Sequence, residues 1–151
     1  MYQVKTLLFK PPFLDVDVSP AVVNIDNCWG RQLSSTLKNN CWKCSLDKSE
    51  RKNVELFIGD VEMTPLGVIG HLFSPVGDGY FTSPLIGNFN LMNLLQAVGA
   101  LIQQELPLQK LLDAIVDFPG VPGRMQRINL TKVGSDISLP TVLVDYAHTP
   151  D

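Results

Sequence analysis

The chain has 151 residues, 45% hydrophobic and 18% charged, with a formal net charge of −3. That is the make-up of a globular protein with a core of its own, and it excludes a disordered tail and the basic footprint of a nucleic-acid binder. Asn93 and Gln96 break the longest apolar stretch well short of the roughly 20 residues of a bilayer span, and residues 1–10 lack the apolar block of a secretion signal, so a cytoplasmic protein without membrane contact is expected.

Residues 1–9 read as the last turns of a helix that began earlier, stopped by Pro11 and Pro12. Residues 21–26 form a short β-rich run, and 27–37 carry Trp29, Leu33 and Leu37 at helical spacing, which together make one βα unit. Between Cys41 and Phe81 the pattern changes to short strands at 54–58, 67–73 and 80–82, cut by Gly, Pro and Asp turns, as in a small antiparallel meander. His71 falls in one of these strands and reads as half-buried or superficial, without a role. A helix is expected over 91–103, where Leu91, Leu94, Leu95, Val98, Leu101 and Ile102 make a buried stripe. Pro107 suits the first turn of a second helix, with Leu108, Leu111, Leu112 and Ile115 on its apolar face. Two prolines and two glycines within 118–123 then read as a hinge. Beyond it, strands at 125–132 and 141–144 flank a turn at Gly134, Ser135 and Asp136. A strand as apolar as 141–144 wants cover on both faces, so a second domain that stops after its first hairpin is expected.

A few residues are placed to do chemistry. Asn90 and Asn93, three apart at a helical opening, present amides that can both donate to and accept from a purine edge, although Asn88 or Asn90 is equally suited to capping the helix. Arg124 follows a glycine that leaves a ligand room to approach, and its guanidinium fork matches phosphate oxygens; a salt bridge across the joint is the plainer alternative. Asp145 ends an apolar strand, where α/β sheets place ligand contacts and a carboxylate can accept from ribose hydroxyls. His148 can donate to a phosphate or to metal-bound water, or simply line a turn. Cys28, Cys41 and Cys44 make an odd count. Cys41 and Cys44 form a C-x-x-C in what reads as a strand, and His71 and His148 are solitary, so structural thiols are expected in preference to zinc or a redox pair. No G-x-x-x-x-G-K-S/T loop occurs, and Gly77 to Gly79 lead into Tyr80 and Phe81 instead of Lys and Ser.

Several segments, taken in order, resemble the Mur ligases, and among them the UDP-N-acetylmuramoyl-tripeptide synthetases known as MurE. They are Lys-x-x-Leu-Phe from Lys5, Val-Asn-Ile-Asp from Val23, Gly-Asn-Phe-Asn-Leu-Met-Asn from Gly87, Phe-Pro-Gly-Val-Pro-Gly-Arg-Met from Phe118, and Val-Asp-Tyr-Ala-His-Thr-Pro-Asp from Val144. The resemblance implies an α/β fold: a partial central domain, with a sheet, flanking helices and a small antiparallel sheet, followed by the first strands of a Rossmann-like C-terminal domain. Residues 1–118 would be the later part of the central ATPase domain, 119–124 the hinge, and 125–151 the start of the C-terminal domain. It implies ATP and Mg²⁺ as cofactors, with Asn90 and Asn93 near adenine, Arg124 on the phosphates, and Asp145 and His148 closing on ribose and phosphate. Lys5 would be the lysine that family members carbamylate to hold magnesium. The implied partners are a UDP-N-acetylmuramoyl dipeptide, an amino acid to be joined to it through an acyl-phosphate, and a complementary fragment. One departure stands out: where family members commonly show Asn-Ala-Asp-Asp, this chain has Asn24, Ile25, Asp26 and Asn27. Lacking a phosphate loop, the chain alone is expected to be inactive as a ligase. A non-catalytic nucleotide-binding or scaffold protein is the alternative, and a thiol redox module at Cys41 and Cys44 a third.

Overall fold

The computed structural model describes residue 9 and residues 21–37, 41–64, 66–128 and 142–146. Its centre is a five-stranded mixed sheet in sequential order, β1 (Ala21–Asn24), β2 (Cys41–Ser45), β3 (Leu56–Thr64), β4 (Gly67–Ser74) and β5 (Gly77–Ser83). The first three strands run parallel and the last two are antiparallel. The antiparallel strands expected as a meander therefore continue the parallel sheet through β3. Helix α1 (Cys28–Leu37) crosses from β1 to β2, while α2 (Asn88–Gln103) and α3 (Leu108–Ile115) follow β5. A separate pair, β6 (Gln126–Ile128) and β7 (Val142–Val144), forms a two-stranded antiparallel sheet.

The core lies between one sheet face and the helices α2 and α3. Leu56, Ile58, Val68, Leu72 and Phe81 point from the strands toward Leu91, Leu95, Val98 and Ile102 of α2 and Leu111, Leu112 and Ile115 of α3. Helix α1 takes the other face. Cys41 and Cys44 stand three apart on β2 and so face opposite ways: the Cys41 thiol reaches the Ser34 carbonyl of α1 at 3.8 Å, and that of Cys44 reaches Met92 Sδ of α2 at 3.7 Å.

The start of α1 is fixed by three short-range devices. Asn27 Oδ1 accepts from Gly30 N at 2.9 Å, the geometry of an N-cap. Gly30 lies so close to Asn24 that a Cβ would collide with its carbonyl oxygen. Asp26 accepts from Ser45 Oγ and, at 3.1 Å, from Leu46 N, tying the ends of β1 and β2 together. The amide at position 27, where the family pattern carries a second acid, is thus occupied in capping. The apolar stripe expected on α1 is not a buried one: no residue of the helix is fully buried, and Trp29 is 56% exposed. The helix flanks the sheet's first strand, beyond which no further strand lies among the described residues.

Candidate functional site

Helix α2 opens at Asn88, three residues earlier than its apolar stripe suggests, and its cap is Gly87, without a side-chain cap bond. Neither Asn88 nor Asn90 is therefore the cap. Instead Asn90, half-buried, donates through Nδ2 to the Ile86 carbonyl at 2.9 Å and fixes the approach to the helix, while Asn93 on the next turn is exposed. Between the amides of 88 and 90 stands Phe89, 90% exposed. An aromatic ring left this bare beside polar amides is a platform on which a planar base can stack. In the sequence Phe89 falls in the approach to the helix expected over 91–103, where nothing local marks an aromatic as exposed.

Arg124 sits in a turn that its neighbours dictate. Pro122 holds the second position and Gly123 the third with φ +70, and Arg124 N donates to Val121 O at 3.1 Å. This is a type II turn, which needs a residue tolerant of positive φ in third place. Gly123 also lies beneath the ring of Tyr146, where any Cβ would collide. Tyr146 N donates to Gly123 O at 2.8 Å, extending the ladder in which Gln126 pairs with Val144. Arg124 and Asp145 are thereby held in the short stretch between ladder and clasp. Both are exposed, and among the described residues no carboxylate lies within ion-pair distance of Arg124. The joint-spanning salt bridge considered for Arg124 is not among the described contacts. Tyr146, 65% exposed, is a second bare aromatic, and its sequence position between Asp145 and His148 gives no sign of that exposure.

The joint itself touches the segment ahead of α2: Gly120 rests against Leu85, two residues before the Gly87 cap of the helix that carries Phe89, Asn90 and Asn93. Lys5 and His148 lie outside the described residues. Among the described residues no group of three or more His, Cys, Asp or Glu side chains could hold a metal ion. Burial pushes the Cys44 thiol up to about 12, with the Asp26 carboxylate adding to the shift, and burial likewise raises Cys41, with Glu55 adding to it. Two protonated thiols on opposite sheet faces make neither a zinc half-site nor a redox pair. His71 is bound to Asp78 at 2.6 Å and stacked on Tyr80 at 4.2 Å, as a partly buried histidine with structural contacts. No helix among the described residues is long and apolar enough to cross a membrane.

The architecture is of the α/β class, a parallel βαβ unit continued by antiparallel strands and backed by two helices. Residues 2–101 match the Mur ligase middle domain, and the chain belongs to that family. It is 52% identical over 152 residues to a UDP-N-acetylmuramoyl-L-alanyl-D-glutamate--2,6-diaminopimelate ligase of Prochlorococcus marinus (strain MIT 9313), covering 99% of this chain and 30% of that protein. It is 54% identical over 150 residues to the ligase of the same name from Parasynechococcus marenigrum (strain WH8102), with 99% and 29% covered. The chain thus spans about 30% of the length of these relatives. A solved structure of a UDP-N-acetylmuramoyl-L-alanyl-D-glutamate--2,6-diaminopimelate ligase superposes with a TM-score of 0.72 at 29% identity, over 86% of this chain and 26% of that one. The folylpolyglutamate synthetase from Lactobacillus casei, at 17% identity and a TM-score of 0.60 over 87% of this chain and 32% of its own, shares the fold.

Proposed function

We propose that the chain forms the adenine-nucleotide side of an ATP-dependent ligase that joins an amino acid to a UDP-N-acetylmuramoyl dipeptide in peptidoglycan synthesis. The names of the relatives support the reaction class, and diaminopimelate is the amino acid those names carry. The observation that carries the site is the turn-held Arg124, without a carboxylate partner among the described residues and linked through Gly120 and Leu85 to the α2 opening. The residues fit an adenine nucleotide: Phe89 offers a stacking face, Asn93 an exposed amide, Asp145 a carboxylate for ribose hydroxyls, and Arg124 a fork for phosphate. Asn90, tied to Ile86, sets the helix opening and keeps its side-chain oxygen as an acceptor.

ATP, when bound, supplies the phosphoryl group that activates the dipeptide carboxylate as an acyl-phosphate. The chain's own share is to hold the nucleotide and offset its negative charge with Arg124. Lys5, if carbamylated, would offer oxygen ligands of the hard kind Mg²⁺ prefers, and His148 would reach the phosphates; both assignments rest on the resemblance. In this reading residues 119–124 are the swivel between the domain ending at 118 and the one opening at 125. Exposed Val142, Leu143 and Val144 support packing against a further part of such a ligase. A cytoplasmic location follows from the nucleotide substrates.

The test is an amide-resolved NMR titration of the 151-residue chain with ADP. Shifts should concentrate at Phe89, Asn90, Asn93, Arg124, Asp145 and Tyr146. Shifts confined to other surfaces, or none up to millimolar nucleotide, reject the site.

A further inference from the structure

A type II turn differs from a type I turn by a flip of its central peptide plane. In the turn from Val121 to Arg124 that plane is the Pro122–Gly123 peptide, whose N–H is Gly123's. This N–H donates to Gln126 Oε1 at 2.9 Å. The carbonyl of Gly123 is held separately, by Tyr146 N at 2.8 Å. Both peptide planes adjoining Gly123 are therefore pinned, one by a side chain and one by the strand ladder. The next residue but one, Met125, is in the left-handed region at φ +48, a conformation that a side chain of its size adopts only when its surroundings impose it. All this restraint surrounds an exposed guanidinium with no ion-pair partner among the described residues.

We infer that Gln126 is a positioning residue for Arg124: by accepting from Gly123 it holds the turn in its type II form and so aims the guanidinium at nucleotide phosphate. The inference rests on the proposed nucleotide site and adds a residue that acts only through the backbone. Half-buried Gln126 opens β6, where its own backbone pairs with Val144, so its side chain is anchored at the root. Without the acceptor, the buried Gly123 N–H loses its partner, and a flipped turn that returns it to solvent becomes competitive. Arg124 would then sample several directions, and binding would have to order it again.

The experiment compares the 151-residue chain with Q126M, similar in reach but lacking the acceptor, and Q126E, which keeps an oxygen in place. ADP and adenosine are titrated into each, and exchange of the Gly123 amide is followed. In Q126M the Gly123 amide should lose protection and ADP affinity should fall about tenfold, while adenosine, which has no phosphate for Arg124, binds as before. Q126E should restore protection of Gly123. Loss of affinity for ADP and adenosine alike would point to general damage and overturn the inference, as would an unchanged preference for ADP in Q126M. A wild-type chain that binds neither ligand rejects the nucleotide site itself, and this inference with it.

Discussion

Two cysteines three residues apart invite a reading as a reactive pair, and geometry alone separates them. Strand alternation sends Cys41 toward α1 and Cys44 toward α2, and burial holds both thiols above their ordinary range, Cys44 at about 12. The thiolate is the reacting species, so at pH 8 its fraction at Cys44 is on the order of one in ten thousand. Cys28, exposed at the start of α1, lacks that protection. Iodoacetamide at pH 8 should therefore add one label to the native chain, at Cys28, and three only after unfolding, as counted by mass spectrometry. Rapid labelling of Cys44 in the folded protein would contradict the packing against Met92. At the same scale the sequence made the polar candidates legible, because Arg124 and Asp145 stand out by type and place. Phe89 and Tyr146 were hidden: hydrophobicity predicts burial, and only the fold reveals an aromatic ring left in water.

Among the elements, α1 depends on how tightly it leaves β1. Asn27 closes the helix by capping Gly30 N, and Gly30 itself passes against the Asn24 carbonyl. N27A should cost about 1 kcal/mol through the lost cap, lowering Tm by roughly 2–4 °C, and N27D should recover most of it. G30A meets backbone rather than a pliable side chain, so a loss of about 3 kcal/mol is expected. If thermal or urea unfolding ranks the two substitutions the other way, the close passage over Asn24 is misread. Element type was legible here because apolar period and cap chemistry are local. Boundaries were less so. Gly59 and Asp60 look like a strand-ending turn, yet β3 runs from Leu56 through them to Thr64, with a register shift between Gly59 and Glu62 and Asp60 at φ 50. A β-bulge and a turn draw on the same residues, and only pairing with β4 decides between them.

For the whole molecule, the α/β class could be read from the order of periods, but the joining of parallel and antiparallel strands into one sheet could not. That continuity depends on β3 pairing with β4 on one side and, in parallel, with β2 on the other, where Cys44 meets Leu56 without a hairpin signature to announce it. The glycines at 77 and 79 belong to this sheet: Gly77 pairs with Ser74, and Gly79 with Leu72, so they form strand and not a phosphate cradle. Nothing in the 151 residues has the G-x-x-x-x-G-K-S/T pattern. On the proposed reading Arg124 is then the principal group for phosphate among the described residues, and a lone guanidinium cannot order three phosphates for in-line transfer. Incubated with ATP, Mg²⁺, UDP-N-acetylmuramoyl dipeptide and diaminopimelate, the purified chain should release no phosphate above a buffer blank. Its affinities for ATP and ADP should agree within about twofold, because nothing described grips the γ-phosphate. Amide formation by the chain alone, or a preference for ATP over ADP of more than about tenfold, would mean that a second phosphate-binding group lies among its residues.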